Sequence, residues 1–551
     1  MPARIADGNR PGAVRKIFHW YGLRSNVRFG ATSAFRSIWL PVPSVPTDGA
    51  GLGWAGPARS RKVPAMARET AAGGGIGRPE LPSITAVEQR GIEHVPAGSR
   101  WGRPSGLFWM WAGAVWNVEF LIYGCLAVLV FHLSFAQAVV VILLGNLSYV
   151  LTGLGSLQGP QAGTTTFTIS RAPFGPNGNR IPSFFNWVTQ VGFEIEGIAL
   201  IVFAAIALTV RAGFSVGAPA KIIFVIAAVA IQAILPLLGH TAVLRVLKWL
   251  AIPFVILFVI MAVITSSKVK LHALPHGAGW GSMLVFLALV MAAGGLGWSE
   301  NGNDYSRYLP ATASKRNIVL AVTLGAAIPS ALLEILGAAV ATGVPGATTI
   351  TGLTQGFPGW FIVPYLIVAM IQLFAINTLD LYSSGVTLQS LVPSLRRLQC
   401  VGIDTVICGA FTAYAIFSSR FFTLLTDFLL FIIVWLAPWC AIYLVDSWLR
   451  RNRYDHQSLL DERGGRYYRN GGIHWPGVIS LAGGMVAAAL WLNAYPPYVS
   501  PLSSRLGGSD FSVFLGLIVG GTLYWLLARR QVRAEGDAAP RGPARSRPAQ
   551  A

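Results

Sequence analysis

Met291-Ala-Ala-Gly-Gly-Leu-Gly-Trp-Ser-Glu-Asn-Gly-Asn-Asp304 closes an apolar run that begins near residue 281. Gly294, Gly295 and Gly297 arrive where a helix crossing a bilayer should be most regular, and Trp298, Ser299 and Glu300 follow at once. Each such glycine weakens a helix by about 1 kcal/mol relative to alanine. Unwound backbone at membrane depth is tolerated only where it lines a cavity. The segment therefore has two readings: a helix broken at the central site of a secondary transporter, or close packing of helices at small residues. The first long apolar run carries a matching anomaly. Phe108-Trp-Met-Trp-Ala-Gly-Ala-Val-Trp-Asn-Val-Glu119 also places glycine beside polar side chains inside a would-be span.

The rest of the chain supplies the setting. Of 551 residues, 54% are hydrophobic and 12% charged, against roughly 25% charged in soluble domains. Mean hydropathy is +0.57. A soluble multi-domain enzyme cannot cover itself with so little polar surface. Apolar runs long enough to cross about 30 Å of hydrocarbon fall at 106–131, 135–157, 183–210, 222–238, 247–266, 281–308, 317–343, 360–384, 400–419, 421–445, 476–493 and 511–529. They predict an all-α integral membrane protein with twelve transmembrane helices. Five runs occupy 106–266 and the next five 281–445. Five is odd, so the second set enters from the opposite side. Equal sets with opposite entry are the pattern of an inverted repeat, here 5+5 with discontinuous helices 1 and 6, plus two C-terminal helices in 476–529. The expected organisation is a disordered basic region at 1–88, a transporter domain at 89–530 and a disordered basic tail at 531–551. A start codon set too far upstream would give the same N-terminal composition.

The formal net charge of +20 is concentrated at the ends. Residues 1–104 hold 15 Lys/Arg against 6 Asp/Glu, and residues 529–551 hold 6 against 2. This fits basic tails beside a membrane, not a nucleic-acid groove. With the N-terminus inside, the inner loops carry 15 basic residues, among them Arg171, Arg180, Arg307 and six arginines between Arg450 and Arg469. The outer loops carry 6: Arg211, Lys221, Lys268, Lys270, Arg420 and Arg505. The bias puts both termini in the cytoplasm, with the plasma membrane as location. Cys125, Cys400, Cys408 and Cys440 all lie in or beside apolar runs and read as buried small residues. His272 and His276 have no third ligand near in sequence, so no metal site is expected. The chain has neither a phosphate-binding P-loop nor a zinc-protease helix motif, so neither ATP-driven transport nor an enzyme is supported, and no cofactor is expected.

Charge at bilayer depth costs at least about 2.5–3.5 kcal/mol, so each intramembrane polar residue needs a reason. Glu119 reads as a protonatable group or cation ligand, or as a neutral core carboxyl. Glu194 and Glu196 are two apart on one helix and point in opposite directions. Glu194 is favoured because it follows Phe193, a ring able to stack on a flat ligand. Trp298, too deep for an interface anchor, reads as a ligand contact. Asn377 and Asp380 share a helix face, with Asn377 the better substrate contact. Glu334, Asp404 and Asp427 read as structural.

These segments, in order, resemble the nucleobase–cation symporter family, the purine–cytosine permeases. Gly91-Ile-Glu-His-Val-Pro96, Arg100-Trp-Gly-Arg-Pro104, Ser170-Arg-Ala-Pro-Phe-Gly-Pro-Asn-Gly-Asn-Arg-Ile-Pro182, Gly192-Phe-Glu194, Gly297-Trp298, Asp304-Tyr-Ser-Arg-Tyr-Leu-Pro310 and Tyr382-Ser-Ser-Gly385 carry the resemblance. It implies a leucine-transporter-like fold and cation-coupled symport of nucleobases, hydantoins or allantoin. It also implies a planar substrate held between a third-helix ring and a sixth-helix tryptophan, here Phe193 and Trp298. Phe193 departs from the usual tryptophan, and Gly197 stands where a polar side chain is common. Glu119 and Trp116 of helix 1, Glu194, Gly297 and Asn377 complete the implied substrate site. The implied cation site falls on Ala112 and Val115 of helix 1 and on Ala375 and Asp380 of helix 8. Phe374-Ala-Ile376 lacks the hydroxyls of sodium-coupled members, so the coupling ion is open between sodium and proton, with Glu119 or Glu194 as proton carriers. The expected function is import of a planar heterocycle by alternating access, by a monomer whose partners are substrate, coupling cation and bilayer. Rival readings are a symporter of the same fold for another small polar solute, a substrate-sensing receptor, or a passive channel.

Overall fold

Hydrocarbon offers no partner to a free backbone N–H or C=O, so apolar runs of this length must satisfy themselves as helices. A computed structural model describes residues 91–238, 240–272, 276–418, 420–494 and 498–537 and is helical almost throughout. The principal helices are α1 (Pro104–Val115), α2 (Val118–Leu129), α3 (Phe135–Asn146), α4 (Tyr149–Gly155), α5 (Arg180–Arg211), α6 (Ala218–Leu238), α7 (His240–Thr265), α8 (Trp280–Ala293), α9 (Gly302–Ser306), α10 (Lys315–Ala341), α11 (Gly359–Leu391), α12 (Arg397–Phe417), α13 (Phe421–Phe431), α14 (Ile433–Leu449), α15 (Trp475–Ala489) and α16 (Ser512–Asp537). A short hairpin, β1 (Asn493–Ala494) with β2 (Tyr498–Val499), pairs antiparallel before α16.

Among the described residues ten helices are long and apolar enough to span a membrane, or eleven if the bent pair α1–α2 is one span. The run at 222–238 corresponds to α6, whose described apolar portion, Ala218–Ile234, is shorter than a full span. Of the boundaries that differ from the sequence reading, three have a visible cause. The run at 360–384 continues to Leu391, because Tyr382-Ser-Ser-Gly385 is not a helix end. Its hydroxyls have partners: Tyr382 receives Arg307, Ser383 meets Tyr305, and Ser384 donates to Asp404. The run at 476–493 stops at Ala489 because the chain turns into the hairpin. The last helix runs through 531–537, read from sequence as tail, and there Glu535 accepts from Arg450 and Arg469. The expected disordered regions at 1–88 and 538–551 lie outside the described residues.

The two anomalous helices are both interrupted. α1 and α2 meet at a bend of 58°. Asn117 stitches the bend, accepting from the N–H of Glu119 at 2.8 Å and donating to the carbonyl of Ala114 at 3.1 Å. It caps α2 as an asparagine normally caps a helix. The second break follows Ala293: Gly294 leaves helical geometry, a 3₁₀ turn covers Gly297–Glu300, and α9 resumes at Gly302. Close packing acts at the same place. A Cβ at Gly295 would collide with the backbone nitrogen of Tyr149, and Thr152 donates to the Gly295 carbonyl at 2.6 Å. Both sequence readings of these glycines thus describe one junction.

α5 lies along α11, α10 packs on α1 and α2, and α14 packs on α15 and α16. Glu334 of α10 is fully buried and accepts from Asn146 at 2.7 Å and from Ser330 at 3.4 Å. It therefore ties α3 to α10. At one end of the bundle the quoted motifs form a scaffold. Buried Arg171 donates to the carbonyls of Leu459 and Ser390 and to Glu462. Asp304 accepts from the Thr166 N–H at 2.9 Å. Arg307 reaches the Gly91 carbonyl and the hydroxyls of Tyr308 and Tyr382. All four cysteines are buried and free. His272 and His276 are exposed, and no group of metal-ligating side chains occurs among the described residues.

Candidate functional site

The two interrupted helices touch through a pair of tryptophans. Trp111, four residues before the first break, meets Trp298, just after the second, edge to face at 5.3 Å between ring centroids. Such geometry suits the ring quadrupoles. Tyr305 packs on the other side of Trp111 at 6.0 Å and continues to Tyr382 at 5.7 Å. Trp298 is 7% exposed, and the indole N–H of fully buried Trp111 has no partner. An orphaned donor in a dry site is costly unless something fills it.

Phe193 of α5 is half-buried and packs edge-on against Phe428 at 5.3 Å. No described ring contact joins it to Trp298. Trp116, at the first break, stacks on Phe258 of α7 at 6.1 Å. Gly197 and Asn377 come together: a Cβ at Gly197 would collide with Asn377 Oδ1. The carboxamide thus occupies the space that a side chain at 197 would need. Asn377 donates to the Glu194 carbonyl at 3.2 Å, and its own Oδ1 is buried without a partner.

The two glutamates of α5 part as their spacing requires. Glu194 interacts with Asp404 of α12 and with Ser384 and Asp380 of α11, and its Oε1 is buried without a hydrogen-bond partner. Asp404 in turn accepts from Trp187 at 2.6 Å and from Ser384 at 2.9 Å. Neighbours on a helix point about 100° apart, so Phe193 and Glu194 need not face the same way. Glu196 turns toward α2. It accepts from the Tyr123 hydroxyl at 2.7 Å and interacts electrostatically with Glu119 of α2 and Asp380 of α11. Glu119 is 7% exposed and Asp380 3%. Oε2 of Glu196 and Oδ1 of Asp380 lack hydrogen-bond partners, and among the described residues none of the three carboxyl groups is ion-paired. The carboxyl cluster adjoins the aromatic one: Tyr305 donates to the carbonyl of Leu379, the residue before Asp380, at 2.9 Å.

The expected cation ligands divide. The Ala112 and Val115 carbonyls already accept the N–H groups of Trp116 and Asn117, at 3.2 and 2.7 Å. Ala375 is buried on α11 and offers no hydroxyl, and Thr378 turns its own back to the Phe374 carbonyl at 2.7 Å. Asp380 joins the carboxyl cluster instead.

One group escaped the sequence reading. Glu300 is fully buried and accepts from Gln190. Asn186, in the amide orientation that satisfies both its ends, also donates to Glu300 and accepts from Thr387 at 2.9 Å. The signal was present, since Asn186, Gln190, Phe193 and Gly197 recur at helical spacing along one face of α5.

A family model described as permease for cytosine/purines, uracil, thiamine, allantoin matches residues 94–516. YxlA of Bacillus subtilis, named for the purine–cytosine permeases, is 28% identical over 468 residues, covering 81% of this chain and 97% of that protein. The purine–cytosine permease fcyB of Emericella nidulans is 27% identical over 479 residues, covering 81% and 89%. Among solved structures, Mhp1, a nucleobase-cation-symport-1 family transporter in a closed conformation with bromovinylhydantoin bound, superposes with a TM-score of 0.65 at 17% identity, covering 82% of this chain and 97% of that one. A sodium-coupled sialic acid symporter gives 0.52 at 11% identity, covering 80% and 91%. These structural likenesses establish the fold.

Proposed function

The chain belongs to the permease family for cytosine/purines, uracil, thiamine and allantoin, and on that footing we propose that it imports a nucleobase-type planar heterocycle by proton-coupled symport. The contact between Trp111 and Trp298 carries this reading, because it sets one helix break against the other. A flat base offers two faces and a polar edge. Trp298 covers one face, and Phe193 closes the other when substrate enters. The Trp111 N–H and the Asn377 carboxamide, both with unused hydrogen-bonding capacity, read the edge. A ligand without that edge leaves buried polar groups unpaired and is rejected strongly.

Glu119, Glu196 and Asp380 take the coupling proton. Buried carboxylates without a basic partner are costly, and a shared proton relieves that cost. Ala375 brings no hydroxyl and the nearby Thr378 hydroxyl is engaged by the Phe374 carbonyl, which favours a proton over sodium. Coupling follows if protonation favours the conformation that binds substrate from outside. We further read the architecture as twelve spans in a 5+5 inverted repeat with alternating access, monomeric, in the plasma membrane, with both termini cytoplasmic.

Cells expressing the chain should accumulate labelled cytosine, a purine or allantoin. Uptake should persist without sodium and fall when a protonophore is added. Uptake that needs sodium and ignores the protonophore removes the proton assignment, and the Ala112, Val115 and Ala375 site returns. Conduction that never saturates removes the symporter reading in favour of a channel.

A further inference from the structure

Away from the central site, the ends of α14 and α16 leave a cavity of about 420 Å³ lined by Trp448, Arg450, Arg451, Arg453 and Arg533. Arg451, Arg453 and Arg533 are exposed. Among the described residues no carboxylate pairs with any of the three. The nearby acids are already engaged: Asp446 accepts from Arg450, Tyr454 and Tyr524, and Glu535 from Arg450 and Arg469.

Arg450 is the informative member. Its side chain is 2% exposed, with Nε on both Asp446 oxygens and Nη1 on Glu535 at 3.0 Å. Its Nη2 is buried and has no partner. The cavity is thus rimmed by exposed cations and walled by a fixed guanidinium with an unused donor. Trp448, 63% exposed at the end of a helix long and apolar enough to span a membrane, lines the cavity, and the Arg533 guanidinium lies 6.0 Å from its ring. Tryptophan at that position marks headgroup depth.

We propose that this cavity binds the phosphate of an anionic phospholipid headgroup. The Arg450 Nη2 and the forks of Arg451, Arg453 and Arg533 meet the phosphate oxygens, and the acyl chains descend along Trp448. Guanidinium forks match phosphate geometry, and basic pockets between spanning helices are suited to anionic headgroups. A free phosphate shares the headgroup chemistry but gains nothing from the lipid-facing tryptophan. On the proposed reading that both termini are cytoplasmic, the cavity lies at the cytoplasmic leaflet, where anionic lipid is enriched.

The test uses the purified full-length chain in neutral detergent and follows its melting temperature. Short-chain phosphatidylglycerol, short-chain phosphatidylcholine and inorganic phosphate are titrated separately. Phosphatidylglycerol is expected to raise the melting temperature saturably, and the other two are not. Arg451→Ala, Arg453→Ala and Arg533→Ala should each weaken the apparent affinity about fivefold. Arg505→Ala, before the opposite end of α16, should leave it unchanged. Heterocycle uptake checks that each variant is folded, with Arg→Gln replacing any variant that fails. Equal stabilisation by phosphatidylcholine, or unchanged affinity in all three variants, overturns the site. Equal stabilisation by inorganic phosphate overturns the lipid assignment.

Discussion

Trp298 and Glu196 carry the substrate and proton roles at the level of single side chains. Trp298→Ala removes the ring that covers one substrate face and leaves Trp111 without its neighbour. A base–aromatic stack is worth about 1–3 kcal/mol, so substrate affinity should fall by about five- to 150-fold in a binding assay, with uptake near background. Glu196→Gln keeps an acceptor for the Tyr123 hydroxyl but cannot exchange a proton. Energised accumulation should collapse in that variant while exchange of labelled for unlabelled base continues. Glu194→Gln, whose stronger acidic neighbour is Asp404 and not Asp380, should retain coupling. The difference between these two glutamates shows what sequence can and cannot supply. Their opposite directions follow from spacing alone. Which of the two faces the centre depends on the rotation of α5 against α11, and that is set by Gly197 seating on Asn377.

Helix breaks are features of whole elements, and both were legible, because glycine and polar residues interrupt an apolar run that would otherwise stay helical. Their causes differ. Asn117 satisfies backbone groups at the first break, so Asn117→Ala should lower stability by about 1 kcal/mol, read as a lower melting temperature of the purified protein. Gly295 is fixed by the approach of the Ser148–Tyr149 backbone. Gly295→Ala should be worse, by about 1–3 kcal/mol from overpacking, with reduced folded yield from the membrane. The close contact was invisible in sequence because its partner lies 146 residues away. The extension of α11 to Leu391 was hidden for a related reason: Tyr382, Ser383 and Ser384 look like a helix end until Tyr305, Arg307 and Asp404 supply partners.

The molecule as a whole is arranged so that apolar spans hold one polar centre, and hydropathy, span order and charge bias sufficed to expect that. The family motifs proved to be scaffold as much as site. Arg171, Asp304 and Arg307 bind the end of the bundle together, while the polar stripe of Asn186 and Gln190 reaches Glu300 nearer the centre. The orientation has its own test. A cysteine at Arg463 should react with an impermeant maleimide only in inverted vesicles, and one at His272 only in intact cells. Opposite labelling would reverse the topology.

Proton movement during cytosine entry into proteoliposomes tests the central arrangement most directly. Adding substrate to vesicles bearing the unmodified chain should alkalinise the outer medium in step with uptake. With Glu196→Gln, the alkalinisation should disappear while exchange survives. Substrate-driven proton uptake of equal size in both proteins would contradict a proton site at Glu119, Glu196 and Asp380.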